Sequence, residues 1–196
     1  METRIYKDRD FRTSQWSGGT TRELFIYPEW SAYPDRDFLL RISTATVALE
    51  TTTFTRLEGF RRWITPLEGE LVLQGDGGTD RDLKPYEIHA FDGGESIESH
   101  GKVTDFNLMV KKGWEAQMKV LKPRVNETLT LDVGESDLVA LYLPRGGPLG
   151  LKGTAGETLK AGELLIAEGS GSFSILGTAW SEVICCRINK ARSSDQ

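Results

Sequence analysis

The chain has 196 residues, of which 38% are hydrophobic and 27% charged, an ordinary composition for a globular protein with a sizeable core. Its net charge is −5 and its pI about 5.2, and it has no basic run. These values argue against a nucleic-acid partner, because phosphate binding needs a clustered positive face.

The N-terminus lacks the apolar core of a signal peptide, and no window approaches the roughly 18 apolar residues of a membrane span. The only cysteines, Cys185 and Cys186, are neighbours in an apolar segment. On a strand they point to opposite faces and are poorly placed to bond to each other. We therefore expect two core cysteines in a reducing compartment, a cytoplasmic location and no membrane partner.

Strand signals dominate the chain, and no stretch of about ten residues has convincing helical periodicity. Short β-branched and apolar runs alternate with glycine turns, such as the one over Gly75–Gly78. The predicted strands of the first half, in chain order, are Glu23–Tyr27, Phe38–Leu49, Trp63–Leu67, Glu70–Leu73, Tyr86–Phe91, Ser96–Glu98, Val103–Val110 and Ala116–Leu121.

Two stretches of the chain resemble each other in strand order and turn chemistry, with Leu83-Lys84 of the first recurring as Leu159-Lys160. A repeat of this length, made of short strands and glycine turns, predicts two barrel-like β units. We place the N-terminal unit at residues 1–122, the C-terminal unit at residues 123–190 and a frayed tail at residues 191–196. The join alternates like a strand at Leu129 and Leu131, so we expect units packed together rather than flexibly linked.

The glycine-rich turns and the Gly69–Leu73 segment resemble the cupin superfamily, which implies an all-β bicupin of RmlC-like jelly rolls. Cupins usually hold a divalent metal with three histidines and a glutamate. This chain has only His89 and His100, eleven residues apart, and none in its second unit. We therefore expect no metal and no cofactor. His89 is open to three interpretations, as a half-buried strand histidine, a pocket acid or base, or a metal ligand; His100 is expected in solvent.

The cupin pattern places its ligand positions near Arg56, Glu58, Arg62 and Ile97, with Arg62 where a cupin keeps its glutamate. A guanidinium then points into the barrel. Arg41 and Ser43 share a face of one predicted strand, and Asp105 and Asn107 share a face of another. A buried arginine needs a partner, and Asp105 is one candidate. The alternative is that one arginine is free to hold a ligand carboxylate in bidentate fashion.

The segment from Trp16 to Glu23 is rich in glycine, which allows a sharp turn or a close backbone approach. One interpretation is a β-turn that leads into the Glu23–Tyr27 strand. The other places Trp16 and Thr21 at the mouth of the barrel, as an aromatic wall and a hydroxyl. The candidate ligand-binding residues are then Trp16, Thr21, Arg41, Ser43, Arg62, Asp105 and Asn107, and no catalytic or metal-binding residue is assigned.

At these residues the chain resembles the bacterial HutD/Ves family. Two motifs carry the resemblance together, the Arg-x-Ser-x-Ala strand at Arg41–Ala45 and the Asp-Phe-Asn-Leu-Met run at Asp105–Met109. The chain departs from the family in a shorter Trp16 loop and in Gly94, which stands where an acidic residue is common. The remaining matches are Trp16, Gly18–Glu23, Tyr27-Pro28, Phe38, Phe54, Gly59-x-x-Arg62, Leu67–Gly69, Leu83–Pro85 and Phe91.

The resemblance implies a metal-poor bicupin associated with histidine utilisation or stress responses, which binds a small carboxylate such as urocanate or formylglutamate. We therefore expect a ligand-binding, regulatory protein. One alternative is a metal-independent isomerase or hydrolase with Asp105 or His89 as acid or base. Another is an interaction module whose pocket is crowded by Trp63 or Met109. A homodimer is expected, because an open edge strand invites pairing.

Overall fold

The protein is described here by a computed structural model that covers residues 1–76 and 80–190. Within these ranges every regular element is a β-strand, apart from two 3-10 turns at Asp8–Asp10 and Tyr33–Asp35. All strand pairs are antiparallel, and the predicted all-β class is confirmed. Part of the predicted Gly75–Gly78 turn and the predicted frayed tail at 191–196 lie outside the described residues.

The first compact unit spans Phe11–Lys112. Its six-stranded sheet has the order β2-β3-β4-β11-β6-β9, and its four-stranded sheet has the order β5-β10-β7-β8. The strands are β2 Arg12–Trp16, β3 Gly19–Tyr27, β4 Leu40–Val47, β5 Thr51–Thr53, β6 Phe60–Glu68, β7 Leu71–Gly75, β8 Asp80–Leu83, β9 His89–Asp92, β10 Ile97–His100 and β11 Thr104–Lys111.

The second compact unit joins Met1–Asp10 to the chain from Gly113 onward. Its five-stranded sheet has the order β1-β17-β14-β19-β12, and its four-stranded sheet has the order β13-β18-β15-β16. The strands are β1 Glu2–Tyr6, β12 Glu115–Leu121, β13 Thr128–Val133, β14 Asp137–Gly146, β15 Leu149–Lys152, β16 Thr158–Leu159, β17 Leu164–Glu168, β18 Gly171–Gly177 and β19 Ser181–Asn189.

The two units repeat one strand arrangement. The sheet order β4-β11-β6-β9 recurs as β12-β19-β14-β17, and β5-β10-β7-β8 recurs as β13-β18-β15-β16. Their turns also match, since the Lys84 amide donates to Glu87 Oε2 at 2.9 Å and the Lys160 amide donates to Glu163 Oε2 at 2.9 Å. The predicted repeat therefore corresponds to two copies of an eight-stranded unit, with extra strands added at the sheet edges.

The boundaries of the units differ from the predicted division at residue 122. Glu2–Tyr6 pairs with Leu164–Glu168, and Glu115–Leu121 pairs with Ser181–Asn189, so both segments belong to the second unit. The sequence around each segment does not reveal its strand partner. Partners so far apart in the chain are determined by the assembly of the whole sheet.

The second unit contains a large apolar core cluster. Leu141, Leu143, Leu165 and Ile175 are fully buried, and Phe173 lies among them. Cys185 belongs to the same cluster, and both cysteines are buried and unbonded, as their placement in a strand predicted. Burial raises the pKa of the Cys185 thiol to about 11, which keeps it in the unreactive thiol form.

Two further expectations bear on partners. No helix among the described residues is long and apolar enough to cross a membrane. Strand β2, at one edge of the six-stranded sheet, is exposed along its whole length. Pairing of two copies at such an edge stays a prediction.

Candidate ligand-binding site

The first unit encloses a cavity of about 310 Å³. Every one of the predicted ligand-binding residues lies on its wall, although they come from five separate strands. Because neither Met109 on the wall nor the buried Trp63 fills the space, the crowded pocket of the interaction-module hypothesis is not observed. The lining residues are Ser14, Trp16, Thr21, Tyr33, Arg41, Ser43, Ala45, Val47, Thr52, Thr53, Phe54, Thr55, Arg62, Asp105, Asn107 and Met109.

Strand register brings these side chains to one face of the six-stranded sheet. Met109 on β11 stands opposite Arg41 on β4 and Arg62 on β6. Two residues earlier on β11, Asn107 stands opposite Ser43. Asp105 lies two residues before Asn107 on the same strand. Because strand side chains alternate, this spacing keeps the polar groups on the face that lines the cavity, while their sequence neighbours lie buried on the opposite face of the sheet.

Arg41 is held by a carboxylate that the sequence analysis did not assign. Its Nε donates to Glu23 Oε2 at 2.8 Å, and its Nη1 donates to Ser43 Oγ at 3.2 Å. The Tyr33 ring lies over the guanidinium, 4.3 Å from ring centroid to Cζ. Arg41 is thus a paired, oriented cation, and the predicted structural partner Asp105 is not the residue that neutralises it.

Arg62 has a different environment. It is 5% exposed, and its hydrogen bond is to a neutral acceptor, from Nη1 to the Thr55 carbonyl at 3.3 Å. Its buried Nε has no hydrogen-bond partner among the described residues. The Phe54 and Phe91 rings flank the guanidinium, with centroids 4.9 and 5.1 Å from Cζ. Burial lowers the pKa of Arg62 to about 10, so it remains a cation at neutral pH.

Asp105 and Asn107 offer polar atoms that the protein does not satisfy. Asp105 is 4% exposed and Asn107 is 6% exposed. The Oδ1 atom of each is buried without a hydrogen-bond partner in the part of the chain that the structure describes. Burial raises the pKa of Asp105 to about 7, and the charge of Arg62 limits the rise. Near neutral pH, Asp105 is therefore divided between its acid and its carboxylate form.

The mouth of the cavity is formed by the hairpin of β2 and β3. Trp16 stands opposite Gly19, which leaves Ser17 and Gly18 as a two-residue turn. The Trp16 ring lies against Gly18, where a side chain would collide with it. Trp16 is 41% exposed and Thr21 is partly buried, and both line the cavity. The β-turn and barrel-mouth interpretations of this segment therefore describe the same hairpin.

The residues present do not fit a cupin metal centre. Within residues 1–76 and 80–190 no three His, Cys, Asp or Glu side chains come together in a way that could hold a metal ion. The cavity wall instead carries two guanidinium groups, which repel a cation. Of the positions to which the cupin pattern pointed, only Arg62 lies on the wall; Arg56 and Glu58 line a shallow depression outside it, and Ile97 belongs to the core.

His89 lies away from Asp105. It stacks on Phe91, with ring centroids 5.8 Å apart, and lines a separate cavity of about 220 Å³ with Arg81 and Glu95. Its partial burial agrees with the interpretation as a half-buried strand histidine, and burial lowers the pKa of its imidazole. His100 is also half-buried and not fully solvated, with Nδ1 3.1 Å from Thr51 Oγ1 and Nε2 3.0 Å from Glu98 Oε1.

Sequence reasoning missed several members of the wall and the partner of Arg41. That partner, Glu23, was included in a strand, but a bulge between Glu23 and Phe25 changes the register against β4, and no sequence pattern marks that shift. Phe54 and Thr55 lie in the irregular segment after β5, and Tyr33 lies in a 3-10 turn. Strand alternation cannot find such residues, because it applies only within strands.

Comparison with known structures agrees with this architecture. A conserved protein of unknown function, PA5104 from Pseudomonas aeruginosa PAO1, is 25% identical, with a TM-score of 0.83 over 97% of this chain and 100% of that one. HutD from Pseudomonas fluorescens SBW25, described as a formate condition, is 22% identical, with a TM-score of 0.77 over 97% and 100% of the two chains. Bacterial pirin YhhW from Escherichia coli, in complex with nickel(II), shares the fold at 11% identity and a TM-score of 0.71, over 96% and 99%.

No curated protein matches the sequence significantly. The HutD family model, in contrast, matches residues 8–184, which include both compact units almost completely. The predicted family and the cupin-like fold are therefore confirmed, and the chain belongs to the HutD family.

Proposed function

We propose that the protein is a receptor for a small carboxylate, which binds in the cavity of the Phe11–Lys112 unit. One observation carries the proposal, namely the buried cation of Arg62 without an anionic hydrogen-bond partner. Burying an unpaired charge costs several kcal/mol. A ligand carboxylate that accepts from Nε and an Nη atom would offset that cost through a bidentate, charge-assisted pair.

The cavity is suited to a small organic acid. Its volume of about 310 Å³ is at the lower end of the range for ligand pockets. Phe54, beside Arg62, provides an apolar surface for a carbon skeleton, and Trp16 provides an aromatic surface at the mouth.

Family membership supports a regulatory role in histidine utilisation or in a stress response, with urocanate or formylglutamate as candidate ligands. The HutD structure from Pseudomonas fluorescens is described as a formate condition, and formate is the simplest carboxylate. In this proposal the partner is a small anionic molecule, and no nucleic acid or membrane is involved.

Isothermal titration calorimetry of the metal-free protein with urocanate, formylglutamate, glutamate and formate tests the proposal. At least one acid should bind with a stoichiometry of one, and Arg62→Met should abolish the binding. Methionine keeps much of the side-chain volume and removes the buried charge, so the variant should fold. Arg61→Met is the matched control, because Arg61 is the exposed neighbour on the same strand.

Two results would contradict the proposal. One is the absence of binding by every acid, with wild-type protein shown to be folded by circular dichroism. The other is binding that Arg62→Met leaves unchanged. Divalent metals form a parallel set, and a metal that binds tightly at the cavity would contradict the interpretation of its wall.

A second candidate function rests on Asp105. A buried carboxyl group in a cavity, with a pKa near 7, has the property that a general acid or base needs. An isomerase or hydrolase of a small acid would require turnover by the wild-type protein that Asp105→Asn abolishes while ligand binding persists. Binding without turnover across the panel would favour the receptor.

A further inference from the structure

Two hydrogen-bond acceptors on the cavity wall would still lack a donor if the ligand offered only a carboxylate. Oδ1 of Asp105 and Oδ1 of Asn107 are both buried and have no hydrogen-bond partner among the described residues. They belong to one strand, two residues apart, and therefore project from the same face of β11. A ligand carboxylate, which only accepts hydrogen bonds, satisfies neither atom.

The positive groups define the other end of the site. Arg62 stands opposite Met109, two residues beyond Asn107 on β11, and its Nε also lacks a partner. Along β11 the wall therefore offers a donor from Arg62, then an acceptor from Asn107, then an acceptor from Asp105. Side chains on one face of a strand are spaced by about 7 Å, so Asn107 stands one spacing and Asp105 two spacings from the level of Arg62. The charge of Arg62 still acts on Asp105, so the long arginine side chain covers part of this separation and a small organic acid can cover the rest.

We propose that Asp105 and Asn107 are specificity-determining residues that select a carboxylate carrying a hydrogen-bond donor, N–H or O–H, at the end remote from Arg62. The inference rests on the proposed function, since the carboxylate of the same ligand binds Arg62. A donor-bearing ligand satisfies the unpartnered atoms at both ends of the site. A plain carboxylate of the same length satisfies only one end.

The electrostatics of the wall agree with this selection. An ionised Asp105 repels a second carboxylate but attracts the positive end of an N–H or O–H dipole. Arg41 cannot offset that repulsion freely, because its guanidinium is already bound to Glu23 and Ser43. The discrimination therefore depends on Asp105, with Asn107 as a neutral second acceptor.

Matched probes test the inference by calorimetry. N-acetylglutamate and 2-acetoxyglutarate have the same shape and charge, but an ester oxygen replaces the amide N–H in the second. The pair of 2-hydroxyglutarate and glutarate tests an O–H in the same way, and the shorter pair of N-acetylglycine and acetoxyacetate covers a smaller ligand. At pH 8, where Asp105 is mostly ionised, the donor-bearing member should bind at least about tenfold more tightly.

Variants show whether the preference comes from these residues. Asp105→Leu should reduce the preference to within about twofold while binding through Arg62 persists, and Asn107→Leu should reduce it less. If Asp105→Leu fails to fold, Asp105→Asn is the substitute; its neutral amide has the same shape and should weaken the preference. Equal binding of both members of every pair by wild-type protein overturns the inference and leaves the proposed function intact. No binding by any probe overturns both.

Discussion

Arg41 and Arg62 lie at the same level of the six-stranded sheet, on the two strands next to β11, and both stand opposite Met109. Their electrostatic situations differ nevertheless. Arg41 donates to the Glu23 carboxylate at 2.8 Å, whereas Arg62 donates to a backbone carbonyl at 3.3 Å and is flanked by aromatic rings. Arg41 is held in place by its carboxylate partner, whereas Arg62 is available to bind an anion.

This difference predicts opposite effects of the same substitution. Arg41→Met should lower the free energy of unfolding by about 3 kcal/mol, because it leaves the Glu23 carboxylate, 12% exposed, without its partner. Arg62→Met should be neutral or stabilising, because it removes a buried cation. Urea denaturation of both variants checks the prediction.

A double variant completes this test. Arg41→Met with Glu23→Leu removes both charges, and it should recover most of the stability that Arg41→Met alone loses. Equal losses of unfolding free energy in Arg41→Met and Arg62→Met would contradict the prediction, because they would show that both arginines are equally paired.

Asp105 should make stability depend on pH. Its pKa rises from 3.8 to about 7 on folding, so between these pH values the folded protein binds more protons than the unfolded chain. The contribution of Asp105 to the free energy of unfolding therefore falls as pH rises from 4 to 7, by up to about 4 kcal/mol, and is constant above. Asp105→Asn should have a higher free energy of unfolding than wild type at pH 8, and the difference between the two proteins should be smaller at pH 5.

Thermal or urea unfolding of both proteins at several pH values measures this difference. Asp82→Asn is the matched control, because it makes the same substitution at an exposed position of β8. A gap between wild type and Asp105→Asn that stays constant from pH 5 to pH 8 would contradict the prediction.

The affinity for a plain carboxylate should also depend on pH. The other charged or titratable side chains on the cavity wall are Arg62 from β6, Arg41 from β4 and Tyr33 from the 3-10 turn, and Arg41 is bound to the Glu23 carboxylate of β3. The pKa of Asp105 is about 7, so its protonation near neutral pH removes a negative charge beside the ligand. Affinity for acetate should therefore fall roughly tenfold between pH 6 and pH 8, as measured by calorimetry. Asp105→Asn should remove the dependence.

The hairpin at the mouth should tolerate no side chain at Gly18. Gly18→Ala places a methyl group where the Trp16 ring lies, so the ring must move away from the cavity. We expect ligand affinity to fall several-fold with little loss of stability, because the Trp16 ring is 41% exposed and can move into solvent. Ser17→Ala, in the same turn, serves as the control and should leave the affinity unchanged.

Truncation of a large buried side chain should destabilise the second unit. Phe173 is 2% exposed within the apolar cluster, and Phe173→Ala should cost about 3–5 kcal/mol through lost burial and the remaining cavity. Ser172→Ala, at the exposed neighbouring position, should have little effect. Chemical denaturation of both variants measures the contrast.

The fold class and the polar residues on the inner strands of the wall could be predicted from sequence, because both depend on alternation within strands. Once Arg41 and Ser43 are placed on one strand and Asp105 and Asn107 on another, alternation decides which side chains share a face. The partner of Arg41 could not be predicted, because the β-bulge after Glu23 shifts its register by tertiary packing.

The same limit explains the missed strands. Residues 2–6, 12–16 and 80–83 have few buried apolar positions, since each strand is at an edge of its sheet. Without an apolar face, an edge strand has no periodic signal. The predicted domain boundary failed to match the compact units for a related reason, because the membership of Glu2–Tyr6 depends on a partner more than half the chain away.

The pairing of Glu2–Tyr6 with Leu164–Glu168 determines the order in which the two units can fold during translation. Glu2–Tyr6 is synthesised before Phe11–Lys112 but has no strand partner until Leu164–Glu168 has been made. Phe11–Lys112, in contrast, contains all of its own strand partners and can fold while synthesis continues. At a translation rate of about 5–20 residues per second, the cavity-bearing unit is complete several seconds before the first strand docks. The cavity can therefore form on the nascent chain before synthesis of the second unit is finished.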